Sequence, residues 1–204
     1  MSNNVISIVR QFGSLGRQVG KQVAEIMGYN YYDRDIIEKA AIHLGKNVDE
    51  LAKYEGHSPG YNRMIAPLGY GSDSKQMQLF EVEKSIILEH AQYEDCVIIG
   101  RGSDYILKDK TNAINVFVYA PYQERMLNCM DELNLSHEDA AKYIDKVDKA
   151  RRGFYKMIGG SSWDSMQNRD LMIDSSKLGV RETAEIIAEY ASLRFKRVSP
   201  GDRI

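Results

Sequence analysis

The chain has 204 residues, 43% hydrophobic and 27% charged, which suits a single globular domain with a sizeable core. With 27 basic and 29 acidic residues the net charge is -2, so no global basic footprint points to nucleic acid, and any anion site has to be built locally. No apolar run approaches the roughly 18 residues of a membrane span, the N-terminus lacks a secretory pattern, and Cys96 and Cys129 show no CxxC pairing, so a cytoplasmic protein with reduced thiols is expected.

The first element is the apolar run "VISIV" (5–9), as expected of a strand buried on both faces of a parallel sheet. Behind it stands "RQFGSLGRQVG" (10–20), which leads into a helix with Val19, Val23, Ile26 and Met27 at helical spacing and Gly28 as its stop. Residues 54–78 hold prolines and glycines without periodicity, in the manner of a binding loop or lid. An amphipathic helix over 80–92 follows, with Phe80, Ile87, Leu88 and Ala91 toward the core. "CVIIG" (96–100) is a second buried strand and "INVFVYA" (114–120) a third. Residues 121–134 open a helix on proline, and "SHED" caps another over 136–156. The polar stretch 159–169, carrying the single tryptophan, reads as a second cover. "DLMID" (170–174) is a fourth strand, and the helix over 180–196 places Ala184, Ile187, Ala188 and Ala191 on one face, ahead of a frayed tail over 199–204. Strands alternating with helices predict a doubly wound α/β domain around a mostly parallel sheet. The four histidines lack zinc-ligand spacing and read mainly as surface groups.

Three stretches carry chemistry. A phosphate-binding loop of the pattern G-x-x-x-x-G-K-[ST] uses its lysine for phosphates and its hydroxyl for magnesium. With Gly16 as its last glycine, Gln11 stands at the first glycine, Arg17 replaces the lysine and Gln18 the hydroxyl. Gly13 and Gly16 permit close approach of an anion to the helix N-terminus, and Arg17 can grip phosphate oxygens bidentately; a plain strand-to-helix turn is the alternative. In "IIGRGSDYIL" (98–107), Arg101 emerges at the carboxyl end of the second strand, where open α/β folds bind ligands; a structural salt bridge is the alternative. In "KYIDKVDKARRGFYK" (142–156), Asp148 shares a helix face with Arg151 and Arg152. That helix is either a solvated face or an arginine-bearing arm that closes over a transferring phosphoryl group.

The order "VISIVRQFGSLGRQVGKQVAEIMG", "YYDRDIIEKAA", "VIIGRGSDYIL", "VFVYAPYQERM", "DKARRGFYK" and "RDLMIDSSKLGVRETAEII" resembles the cytidylate kinase-like family, relatives of bacterial cytidylate kinase among the P-loop nucleoside monophosphate kinases. The resemblance implies a P-loop NTP hydrolase-type α/β fold: a five-stranded parallel sheet flanked by helices in one domain over 1–204, with a helical acceptor-binding insertion over 33–95 and a lid over 150–169. It implies transfer of the ATP γ-phosphoryl group to a nucleoside monophosphate, CMP or dCMP first, with Mg²⁺ accompanying ATP. Gly13, Ser14, Leu15, Gly16, Arg17 and Gln18 would hold the donor phosphates. Asp33, Arg101, Asp148 and Arg151 would hold the acceptor, and Arg17, Arg151 and Arg152 would serve the transfer.

The chain departs from the family pattern where magnesium is held. Neither Gln18 nor Val19 is a hydroxyl, Ile99 and Gly102 replace the acids flanking Arg101, and Ile144 stands where a lid arginine is expected. Asp33, Asp35 and Asp104 are then the candidates for holding the ion. Two rival functions follow from the same residues: a non-catalytic nucleotide-binding module with a degenerate loop, and a kinase of another small phosphorylated acceptor. Neither a nucleic-acid nor a membrane partner is expected, and oligomeric state is not readable from the sequence.

Overall fold

The computed structural model describes residues 3–33, 73–160 and 162–196. The elements in chain order are β1 (Val5–Arg10), α1 (Gly16–Met27), β2 (Asn30–Tyr32), α2 (Asp73–Tyr93), β3 (Cys96–Ile99), α3 (Ser103–Ile106), β4 (Ala113–Tyr119), α4 (Tyr122–Leu133), α5 (His137–Met157), β5 (Leu171–Asp174) and α6 (Gly179–Lys196). The strands form one parallel sheet in the order β2-β3-β1-β4-β5. Most of the irregular 54–78 segment, Asp35 and the tail over 199–204 lie outside the described residues.

Because the central strands are apolar on both faces, their division of labour shows only in the fold. Ile6 and Ile8 of β1, Val97 and Ile99 of β3 and Ile114, Val116 and Val118 of β4 pack against Val19, Val23 and Ala24 of α1 and Ala184, Ile187 and Ala191 of α6. The alternate residues face the other way. Val5, Cys96, Ile98 and Ala113 meet Ile86, Ile87 and Ala91 of α2, while Val9 and Phe117 meet Phe80, Phe154 and Trp163. Strand alternation with a period of two sends each set to its own layer.

Element ends follow local chemistry. Gly28 stops α1 with φ 68°, and Asn134 stops α4 with φ 51°. Ser136 caps α5, its Oγ accepting from Asp139 N at 3.1 Å. Pro121 is the N-cap of α4 and not its first helical residue.

Three expectations need correction. Ile26 is exposed, and the buried face of α1 is Gly16, Val19, Gly20, Val23 and Ala24. The fifth strand, β2, lies at the sheet edge in "NYY", which is too short and too exposed to show strand patterning. His90 is not a free surface group: its ring stacks on Tyr32 with centroids 4.0 Å apart and its Nδ1 contacts Glu94.

Both thiols are buried, and burial pushes Cys96 up to about 12 and Cys129 up to about 11. The thiolate is the reactive form, so neither cysteine should react with a disulfide reagent at pH 8 in the native protein. Colorimetric thiol titration should count none in the native protein and both after denaturation.

Candidate functional site

The loop between β1 and α1 is held from outside by its carbonyl groups. Arg151 Nη1 donates to Arg10 O at 2.7 Å, Arg125 Nη1 to Phe12 O at 3.2 Å, Asn128 Nδ2 to Gly13 O at 2.8 Å and Ser175 Oγ to Ser14 O at 2.7 Å. Ser14 N and Oγ both reach Gln11 O, and Ala120 N donates to Gln11 Oε1 at 3.2 Å. With these carbonyls taken, the N–H groups of Gly13, Leu15 and Gly16 have no acceptor among the described residues. Unpaired amides ahead of a helix N-terminus make an anion cradle. Leu15 holds the left-handed conformation, φ 56° and ψ 14°, and gives no side-chain cap to α1. For a leucine this costs about 1–2 kcal/mol, which the tethers on either side of it offset.

Beneath the loop Asp148 acts as a hub. Its carboxylate accepts from Phe12 N at 3.1 Å and from Arg125 Nη1 at 2.6 Å, and it lies 3.5 Å from Arg151 Nη1. All three side chains are about nine-tenths buried. Burial pulls the Arg151 guanidinium below its ordinary range, with Asp148 opposing. Arg151 also lies between the rings of Phe12 and Trp163. Asp148 and Arg151 therefore sit in the packed middle of α5, under the loop. Arg152 points the other way, half exposed and 3.7 Å from Asp164.

The 150–169 segment is docked in this structure. Trp163 is buried edge-on against Phe117, Arg169 reaches Asp104 at 2.5 Å and Trp163 O at 3.0 Å, and the Tyr155 hydroxyl donates to Asp104.

At the carboxyl ends of the strands the arginines divide. Arg17 is engaged by Asp33, with Nε 2.9 Å from Oδ2 and Nη2 on the same oxygen. Desolvation opposes its charge, but Asp33 outweighs it and holds Arg17 above its ordinary range. Arg101 is buried and pairs with buried Glu83 of α2 at 2.7 Å, so it is not an exposed loop arginine. Gly100, Arg101 and Gly102 in its turn all have positive φ, at 70°, 58° and 66°, and of these only Arg101 is strained by it. Such outliers cluster at functional sites.

Arg10, at the end of β1, opens the 10–20 stretch but has no counterpart in the phosphate-loop pattern, and the sequence gives it no role. Gly16 is glycine because Arg10 Cβ would lie 2.5 Å from any Cβ there, and a Cβ on Gly100 would run into Arg10 Nη1. The side chain thus lies across the carboxyl ends of β1 and β3. Its signal in the sequence is position alone, a charge closing an otherwise apolar central strand.

The family model described as the cytidylate kinase-like family matches residues 5–177. The chain belongs to that family. A cytidylate kinase of Thermoplasma volcanium is 22% identical over 89% of this chain and 88% of its own length. One of Pyrobaculum aerophilum is 21% identical over 94% and 96%. The solved structure of an uncharacterized protein from Eubacterium ventriosum matches with TM-score 0.73 at 21% identity, covering 93% of this chain and 99% of that one. A shikimate kinase from Bacteroides thetaiotaomicron matches with TM-score 0.56 at 13% identity over 93% and 98%. These likenesses agree on a P-loop kinase-type fold, and no described helix is long and apolar enough to cross a membrane.

For a cytidylate kinase-like protein the metal question is pointed. Among the described residues no group of three His, Cys, Asp or Glu is placed to hold an ion. Asp33 and Asp104, candidates from the sequence, are engaged by Arg17 and by Arg169 with Tyr155. Ser14 Oγ turns to the Gln11 and Val118 carbonyls, and Gln18 Nε2 to Glu132. The described residues do not fit a dedicated magnesium site.

Removing the hub charge should be costly. Asp148→Asn leaves Arg125 and Arg151 without their buried carboxylate and is expected to lower unfolding free energy by about 3 kcal/mol, measured by urea denaturation. Asp164→Asn, at an exposed pair, should change it by less than about 1 kcal/mol.

Proposed function

We propose that this protein transfers the γ-phosphoryl group of ATP to a small phosphorylated acceptor in the cytoplasm, with CMP or dCMP as first candidates. The observation that carries this reading is the loop itself, its carbonyls tethered outward and its amides left to face an anion at the carboxyl end of a parallel sheet. An acceptor phosphate oxygen would attack the γ-phosphorus as the bond to the ADP oxygen breaks, and ADP would leave. Phosphoryl transfer asks a protein mainly for positioning and positive charge, which the arginines around this loop supply.

In this scheme the amides of Gly13–Arg17, with Ser14, Leu15 and Gln18 shaping the turn, hold the donor phosphates. Arg17 exchanges Asp33 for a phosphate oxygen, and Asp33 turns to the acceptor. Arg101 meets the acceptor phosphate from the strained turn behind β3. Asp148 and Arg151 act as positioning residues that keep the loop in shape, and Arg152 assists from the exposed side of the 150–169 lid. The acceptor-binding role expected of the 33–95 insertion falls mostly on residues 34–72, which lie outside the described residues. Mg²⁺ is expected to arrive with ATP and to be held largely by its phosphate oxygens and water, as this ion often is.

A second reading, a nucleotide-binding module without turnover, draws support from the carboxylates committed to arginine at Asp33, Asp104 and Asp148. A coupled assay with ATP, Mg²⁺ and a panel of nucleoside monophosphates, beside calorimetry with the same ligands, separates the two. Turnover on the cytidine nucleotides is expected. Tight nucleotide binding without turnover on any acceptor would establish the module.

Loss of Arg151 removes the tether on Arg10 O and a charge that orders the donor loop from beneath. Arg151→Ala is expected to lower kcat by on the order of 10²-fold. Arg151→Lys should recover little of that, because one ammonium cannot replace the planar fork. Steady-state kinetics at wild-type level in Arg151→Ala would remove this residue from the mechanism.

A further inference from the structure

The arginines near the loop differ in what neutralises them. Arg17 has Asp33, Arg101 has Glu83, and Arg125 and Arg151 share Asp148. Arg10 stands apart. Among the described residues no carboxylate pairs with its guanidinium, and the charged and titratable groups that influence it are Arg151, Tyr31, Arg17 and Tyr155. Two arginines beside it repel its charge, and burial with the repulsion of Arg151 pushes it down to about 9. The fold nevertheless makes room for this side chain, with glycine at 16 beneath its Cβ and at 100 beneath its Nη1. Its own carbonyl is clamped by Arg151.

A half-buried guanidinium with two arginines beside it and no carboxylate partner among the described residues is suited to an anion from outside. We propose that Arg10 is a phosphate-binding residue of this site, gripping a phosphoryl group that lies between the loop amides and the turn at Gly100, where donor and acceptor sides meet. The proposal rests on the reading of the loop as a phosphate cradle, but not on turnover. Arg17 stands at the position of the lysine in the usual loop pattern, yet it is engaged by Asp33. Arg10 comes from the opposite side, along β1, and supplies the unpaired charge. Gly100 is then kept small for the arginine rather than for the ligand.

The test uses full-length protein and pyrophosphate, by calorimetry and thermal unfolding, with ATP turnover measured in parallel. Arg10→Met should lower pyrophosphate affinity roughly 10- to 100-fold, as expected on losing hydrogen bonds to a charged group. It should also raise the unfolding temperature of the ligand-free protein, since a repelled charge is removed. Arg10→Lys, which keeps a cation and should fold in any case, should fall between the two in affinity. Arg181→Met, at an exposed pair on α6, should leave affinity unchanged. Affinity at wild-type level in Arg10→Met and Arg10→Lys would overturn the proposal, as would a wild type that does not bind pyrophosphate. If Arg10→Met does not fold, the affinity of Arg10→Lys decides. A wild type that binds pyrophosphate through Arg10 but has no turnover keeps this inference and ends the kinase reading. Wild-type kcat and KM in Arg10→Met would do the reverse.

Discussion

The carboxylate of Asp148 is the constraint on which the rest of the site depends. It is buried in the middle of α5 and binds a backbone amide of the loop together with two arginines, each of which holds a loop carbonyl. One charge thereby fixes the β1 end of the loop to the helices beneath it, while Asn128 and Ser175 hold the carbonyls of Gly13 and Ser14 further along. A buried ion pair is weak evidence for stability by itself, because desolvation offsets its attraction. Here the return is positional: the carbonyls face the protein, and the amides are left for a ligand.

That arrangement explains why arginine recurs here. A guanidinium can donate to a carboxylate and to a backbone carbonyl at once. Arg125 does so between Asp148 and Phe12 O, and Arg169 does so between Asp104 and Trp163 O. The two networks serve different segments, the first the loop and the second the 162–169 stretch, and α5 contributes to both through Asp148 and Tyr155. That stretch is held against the sheet by Trp163 on Phe117 and by Arg169 on Asp104.

Left-handed backbone is concentrated where the strands end. Leu15 before α1 and three successive residues after β3 hold left-handed conformations. At Gly100 the reason is steric, since a side chain there would meet Arg10. At Arg101 the buried pair with Glu83 holds a non-glycine residue in a turn it would otherwise avoid.

Much of the architecture is legible in the sequence. The apolar runs at 5–9, 96–100 and 114–120 are β1, β3 and β4 to within a residue or two at either end, the serine cap of α5 is real, and the inner face of α6 is the predicted one. These features are local: burial on two faces writes itself as a continuous apolar run, and capping depends on neighbours three residues away. The glycine and arginine pattern likewise marks the loop. Charge pairing is not local. Arg17 meets Asp33 across a strand and Arg101 meets Glu83 from another helix, while Asp148 reaches back 136 residues to Phe12 N. Which of the site's arginines has no carboxylate partner among the described residues is settled by subtraction over these contacts, and no window of the sequence contains them. The sequence by itself determined that arginines and glycines would gather at a strand-to-helix turn. Only the tertiary structure decided which of those charges is neutralised inside the protein, because ion pairing depends on distance in space and not along the chain.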